Sequence, residues 1–374
     1  MVDTFKPKNE DQVLDVIRWA GTGQPKALDI VGQGTKRGLG RPVQAAGILN
    51  MSGLSGIELY EPEELVMTAK AGTPLADVQA ALDDANQMIA FEPWSPHALY
   101  GNMGGTVGGL FASAIAGSRR PLAGSARDHL LGFHAVSGRG ELFKSGGRVV
   151  KNVTGFDLSK LMAGSMGTLG VLTEVTFKVL PKPKQTRTIL VFGAGDPGQA
   201  MRDAQNSPYE VSGVAHLPQK IAARSSVSAV NMAGTSVTAV RIEGPAPSVE
   251  VRSLALKNIL SKHGDVQNLQ TTDTVSLWQE IRDVSFFPDL HQVWRLSVTP
   301  SEGPKIASKL SGTHYFDWAG GLIWLAMTPT NDGAHEQVRG QVPVFQPQQG
   351  GVAALLKRVR AGFDPHGILN PGRM

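Results

Sequence analysis

Val13, Ile17 and Ala20, with Leu14 beside them, recur at three- and four-residue spacing among polar neighbours, as on one buried helical face. Gly21 and Gly23 end that helix. Ala27 to Val31 then form a short apolar run that stops at Gly32, which reads as a strand entering the turn-rich stretch GQGTKRGLG. Ile48–Met51 and Leu65–Ala69 are two further strand candidates. The stretch Thr73-Pro74-Leu75 predicts a helix through Leu82, with Thr73 as its cap and Pro74 at the first position. Leu130–Val136, Leu142–Phe143 and Val149–Val150 read as strands about a Ser137–Gly140 turn, and the alternation from Val171 to Leu180 as one more.

A Pro/Lys segment near residue 183 marks the first boundary. Beyond it, strand patterns at Thr186–Phe192, Ser236–Glu243, Val293–Val298 and Gly321–Met327 alternate with helical patterns at Gly198–Ala204 and Val249–Ser261. A helix over Gly351–Arg360 leads into AGFDPHGILNPGRM. The expected organisation is α+β: residues 1–183 as a first domain of two subdomains, 184–345 as a second domain with an antiparallel sheet, and 346–374 as a segment returning to the first.

Composition sharpens this picture at two points. The 374 residues include 44 Gly, where an average share would give about 26. They follow no collagen period and no low-complexity run, so the chain uses glycine locally. There is no Cys, which excludes disulfides, cysteine-held zinc or iron–sulfur clusters, and a thiolate nucleophile within this chain. A net charge of +4, with basic and acidic residues interleaved, argues against a nucleic-acid module. The amino terminus lacks a signal-like apolar core and no stretch reaches membrane-span length, so the default location is cytoplasmic.

Three glycine-rich stretches carry the candidate chemistry. In Gly32, Gln33, Gly34, Thr35, Lys36, Arg37 and Gly38, missing side chains let backbone N–H groups converge on an anion, with a hydroxyl and two cations nearby. The spacing fits neither the Rossmann nor the Walker fingerprint, and ordinary turns remain an open reading. The second stretch, Gly101 to Gly124, and the third, around Gly164, Gly167 and Gly170, could let a flat ring or an extended phosphate lie against backbone. Close packing between elements is the alternative.

The segments TVGG at 106–109, SARDHLLGFHAV at 125–136, KNVTGFDLSKLMAGSMGTLGVLTEVTFKVLP at 151–181 and FDPHGILNPGR at 363–373 resemble the FAD-binding fold of vanillyl-alcohol oxidase and p-cresol methylhydroxylase. The resemblance covers nearly the whole chain. It implies an FAD between two small α/β subdomains, with a cap domain over the isoalloxazine ring. On that likeness Gly32–Arg37 match the pyrophosphate loop, and Thr106, Val107, Gly108 and Gly109 match a second pyrophosphate segment. Ser113, Gly117, Ser118 and Arg119 would lie along the ribityl chain and ring, and Gly170 and Val171 on the adenine or ribityl side. The first loop has no histidine and the chain no cysteine, so the FAD is expected to be non-covalent.

Two departures bear on activity. The H-x-x-G-D-G-N-x-H metal segment of the D-2-hydroxy-acid dehydrogenases in this superfamily has no counterpart here. His216, His263, His291, His314 and His335 are scattered in sequence, and no metal ligand or catalytic residue is assigned. In addition, the GSEG form of catalytic relatives appears as Gly164-Ser165-Met166-Gly167. Arg282 and Arg295 are the cap residues that could face the flavin or a small anion. With its short cap, the chain resembles the family of FAD-binding subunits of bacterial glycolate oxidase. That resemblance implies a larger catalytic FAD subunit and an iron–sulfur subunit as partners, and a location either free in the cytoplasm or held at the inner membrane through the complex. An autonomous FAD-dependent oxidoreductase of a small 2-hydroxy acid, or a non-catalytic assembly subunit, are the alternatives.

Overall fold

The computed structural model describes residues 2–148, 155–269, 271–287, 292–327, 345 and 347–374. Its first helix, Glu10–Gly21, begins where the Asn9 side chain accepts from the Gln12 N–H at 2.9 Å. Glu10 and Asp11 sit favourably in its first turn, and Val13, Ile17 and Ala20 are its buried face. The helix covers a small parallel sheet of β1 (Asp3–Phe5), β2 (Leu28–Val31) and β3 (Gly47–Asn50), in the order β1-β3-β2. Met51 leaves the strand for a 3-10 turn.

The second part of the first unit is an antiparallel five-stranded sheet. It contains β4 (Ile57–Glu61), β5 (Val66–Lys70), β7 (Leu130–Val136), β8 (Leu142–Gly146) and β9 (Val171–Lys178), in the order β4-β5-β9-β7-β8, while β6 (Gln87–Met88) pairs with β10 (Leu180–Pro181). The helices Leu75–Asp84 and Val107–Ser113 pack on it through Val78, Leu82, Leu110 and Phe111. Thr73 does not cap the first of these. Pro74 occupies the cap position, and the buried Thr73 hydroxyl instead accepts from Gly56 N–H and contacts the Gly56 and Lys70 carbonyls, holding the loop before β4. The strand expected at Val149–Val150 lies outside the described residues.

The remaining strands are β11 (Gln185–Phe192), β12 (Val211–Leu217), β13 (Val237–Gly244), β14 (Asp265–Leu269), β15 (Gln292–Ser297), β16 (Thr313–Asp317) and β17 (Leu322–Met327). They form one antiparallel sheet in the order β14-β11-β13-β12-β16-β17-β15. Alternation along β11 sends Ile189 and Val191 to one face and Leu190 to the other. The first face is covered by the helices Pro197–Gln205 and Ala246–Leu260. The second packs against Leu277, Trp278 and Ile281 of the helix Thr271–Asp283, and against Trp94 and Ile115 of the first unit.

The chain ends back on the first unit. Leu369 bridges to Leu28, and Ile368 and Leu369 join the core of Val13, Ile17 and Leu49. The large sheet and the C-terminal return thus both meet the part of the molecule that carries the glycine clusters.

Candidate functional site

The three glycine clusters converge beyond the end of β2. Gly32 packs so tightly on Thr106 that a Cβ there would lie 2.3 Å from the Thr106 hydroxyl oxygen, and a Cβ on Gly104 would lie 2.4 Å from the Gln33 side-chain oxygen. That oxygen accepts from Gly105 N–H at 2.6 Å, tying the second cluster to the first. The third cluster is joined by Asn370, whose side chain accepts from Ile30 N–H at 2.7 Å and donates to the Met166 carbonyl at 2.8 Å. A Cβ on Gly167 would meet the same amide group at 2.8 Å, and its φ of +72° is one that glycine adopts without strain.

Between the clusters runs a cleft made of two adjoining pockets of about 580 and 460 Å³. Gly32, Gln33, Gly34, Thr35, Lys36 and Arg37 line it together with Thr106, Gly108, Gly109, Ser113 and Gly170. Asp29, Met166, Asn370 and Arg373 complete one part of the wall. No residue of the large sheet lines either pocket.

The loop is chemically poised for an anion. Among the described residues no backbone carbonyl accepts from the N–H groups of residues 33–36; Arg37 N–H is the first to bond within the turn, to Gly34 O at 3.3 Å. Lys36 is half-buried with no carboxylate beside it among the described residues, and desolvation lowers its pKa to about 8. Arg37 is held by Asp29, and Arg373 donates to the carbonyls of Lys36 and Arg37, so those oxygens are already occupied. By contrast, the amides at the start of Val107–Ser113 are already taken: Val107 by Thr73 O, Gly108 by Ala71 O and Gly109 by the Thr106 hydroxyl. The second cluster therefore supplies a smooth floor and the first supplies the donors. A cradle of unfilled amides and one uncompensated ammonium fits the diphosphate of a dinucleotide.

The other expected site residues lie elsewhere. Val107 and Val171 are fully packed core residues. Gly117, Ser118 and Arg119 meet the large sheet instead of the cleft. Ser118 Oγ donates to Asp317 at 2.7 Å, and the Trp318 indole N–H donates to Gly117 O at 2.9 Å. Arg119 makes a bidentate contact with Glu243 (2.8 and 2.6 Å) and also contacts Glu92 at 3.1 Å. Arg241, only 2% exposed, makes a second bidentate contact with Glu92 (2.8 and 3.0 Å) and stacks on Trp278. The arginines hold both carboxylates below their usual range despite burial, Glu243 at about 2.

Asp317, fully desolvated beside this network, is driven the other way, to about 7. The next two residues, Trp318 and Ala319, both have positive φ (51° and 55°), a costly backbone for residues with a Cβ. Arg120 and Arg295 both stack over the Trp318 ring, at 4.3 and 4.8 Å from its centre, and Arg295 Nε has no partner among the described residues. Arg282 is paired with Asp283. His216 and His314 pack on the same ring, Phe316, and burial lowers His216 to about 4. Among the described residues no group of three or more His, Asp or Glu is placed to hold a metal.

Asn370 and Arg373 were visible only as part of the C-terminal likeness, and Glu92, Arg241 and Glu243 carried no spacing signal. They come together across more than 100 residues of chain, through sheet register and not through sequence proximity.

The family model for the FAD binding domain matches residues 4–146. The glycolate oxidase subunit GlcE of Escherichia coli is 35% identical over 360 residues, covering 93% of this chain and 92% of that protein. The glycolate oxidase subunit GlcD of Bacillus subtilis is 27% identical, over 62% of this chain and 49% of its own length. The structure of p-cresol methylhydroxylase with bound substrate superposes with a TM-score of 0.71 at 14% identity, covering 99% of this chain and 88% of that one. The fold is that of the p-cresol methylhydroxylase flavoproteins, the cofactor is FAD, and the chain belongs to the family of glycolate oxidase subunit GlcE.

Proposed function

We propose that this chain is the FAD-binding subunit of a multi-subunit glycolate oxidase, which converts glycolate to glyoxylate. The full-length likeness to subunit GlcE carries this reading, and the likeness to GlcD supports a multi-subunit assembly. The FAD diphosphate rests on the amides of residues 33–36 with Lys36 as counter-charge, over the floor of Thr106 to Gly109, and Gly170 borders the same cleft. Gly117, Ser118 and Arg119 belong to the ring end, where the large sheet closes on the first unit. FAD supplies a two-electron acceptor; this chain binds, orients and shields it, non-covalently.

Substrate oxidation occurs at the flavin of the larger partner subunit, and this chain's FAD relays electrons or supports the assembly. Hydroxy-acid oxidation requires a base and a cation free to take the carboxylate. Arg119, Arg241 and Arg282 are instead committed to carboxylates of this chain. With no Cys, the chain leaves any cysteine-held iron–sulfur centre to another subunit. No helix of the described residues is long and apolar enough to cross a membrane; we place the chain in the cytoplasm or, through the complex, at the inner membrane.

Anaerobic mixing of the isolated flavoprotein with glycolate is expected to leave its flavin oxidised on the turnover timescale; fast bleaching makes the chain an autonomous oxidoreductase. In the assembled complex, emptying this flavin site is expected to stop electron transfer. Transfer at the normal rate sinks the relay and leaves the assembly role.

A further inference from the structure

The helix Gly350–Phe363 has no fully buried residue. Its apolar side chains Val352, Leu355, Leu356, Val359 and Phe363 follow the i, i+3, i+4, i+7, i+11 spacing of one face, about 100° wide. The two ends of that face meet different fates. Val359 and Phe363 pack against the core of the five-stranded sheet, with Phe363 on Phe143 at 5.7 Å, and Gly362 and Phe363 accept hydrogen bonds from Arg139 and Gly138. Val352, Leu355 and Leu356 are 45%, 56% and 39% exposed. The helix is therefore pinned at its C-terminal end and carries the same face beyond its support.

We infer that this overhanging face is a docking site for an apolar segment of a partner subunit whose flanks carry Asp or Glu. The inference rests on the multi-subunit reading above. Because the exposed part of the stripe looks toward the same side as Val359 and Phe363, its occupant must enter beside the body of the protein. A polypeptide segment can do so, whereas a flat bilayer meets an outward face. Charge decides between polypeptides. Residues 350–363 include Lys357, Arg358 and Arg360 and no acid, so a second copy of the helix would bring like charges together, while an acidic partner is complemented. The chain's own residues 328–344 carry Ala334, Val338, Val342 and Val344 as their aliphatic side chains and no Leu, Ile, Met or Phe, with Gly333 and Gly340 and one Pro near each end, which is too little apolar bulk to cover Val352, Leu355 and Leu356.

The test is co-expression of the full chain with the other glycolate oxidase subunits, comparing wild type with Leu355→Glu/Leu356→Glu, Leu355→Met/Leu356→Met and Lys357→Glu/Arg358→Glu. All variants are expected to keep their FAD and melting profile, because these side chains are exposed. The glutamate pair should weaken association at least about 100-fold. The methionine pair should assemble normally, and charge reversal should weaken binding and flatten its salt dependence. Undiminished assembly of the glutamate pair overturns the docking site while the functional reading stands. So does an effect of that pair confined to self-association or to binding of anionic vesicles. A wild-type chain that forms no complex and supports no glycolate turnover overturns the functional reading, and the inference with it.

Discussion

Asp317 is a fully buried carboxyl that accepts from Ser118 and from the Trp318 N–H, yet has no direct cation among the described residues, and burial pushes its pKa from 3.8 to about 7. In the unfolded chain it ionises near its ordinary value. Its contribution is thus neutral below about pH 4, and becomes a growing penalty to the native state as pH rises to about 7, constant beyond. The slope is about 1.4 kcal/mol per pH unit, and the full difference of roughly 3 units corresponds to about 4 kcal/mol, an upper bound for a group that can recruit water. Asp317→Asn removes the penalty and keeps both contacts, since its Oδ1 can accept from Trp318 N–H and its Nδ2 can donate to Ser118. Denaturation of both proteins at pH 5, 6, 7, 8 and 9 should show the variant gaining on wild type up to pH 7 and holding a fixed advantage above it. If the chain melts as one unit, the full effect is a Tm difference of about 5 °C. A difference independent of pH, or a wild type more stable than the variant at pH 8, refutes the assignment.

Gly32→Ala puts a methyl against Thr106, and should cost about 1–3 kcal/mol and lower FAD occupancy, read by absorbance after purification. Lys36→Met should weaken FAD binding by about 10- to 100-fold, and flavin fluorescence titrations should show wild-type affinity falling above about pH 8 while the variant's stays flat. Glu92→Gln leaves Arg241 without its bidentate carboxylate and should cost about 3–5 kcal/mol by denaturant titration. Glu243, held at about 2, stabilises the native state above its unfolded value of about 4.5. That contribution is lost as pH falls between the two, so Glu243→Gln should lose its difference from wild type in acid.

The elements with a solvent side were legible in the sequence. Glu10–Gly21 shows its three buried positions at helical spacing, whereas Val171–Lys178 was legible from its sequence alternation although only Glu174 and Lys178 reach solvent. β12 was not, because all seven residues of VSGVAHL are buried, Val214 toward one face and Ala215 toward the other, which erases any period. The short edge strand β14 and the strand β16 were hidden for a related reason: their pairing is set by long-range register. The cleft-lining loop of residues 32–37 was readable because backbone chemistry demands glycine locally, at Gly34 with φ +71° for example. The Glu92–Arg119–Arg241–Glu243 network was not, because charge pairing leaves no sequence spacing when its members come from a turn, a loop and a strand of another sheet.

That network also bears on where oxidation takes place. The buried Arg241 and Glu92 and the largely covered Arg119 and Glu243 would each be costly alone; together they are neutral and mutually hydrogen-bonded, fixing the large sheet against Gly117, Ser118 and Arg119. A substrate carboxylate seeking Arg119 or Arg241 would have to displace Glu243 or Glu92, exchanging one ion pair for another while stranding a buried carboxylate. Arg120 and Arg295 are left, but Arg120 is exposed and both are stacked on Trp318, beside a carboxyl that becomes anionic only near pH 7. The interface is thus built to hold two units together, with Arg119 and Arg241 spent on that task and Arg295 stacked on Trp318 without a carboxylate partner among the described residues. A chain organised this way fits a supporting flavin better than a substrate-oxidising one, and it makes the anaerobic glycolate experiment the sharper of the two functional tests.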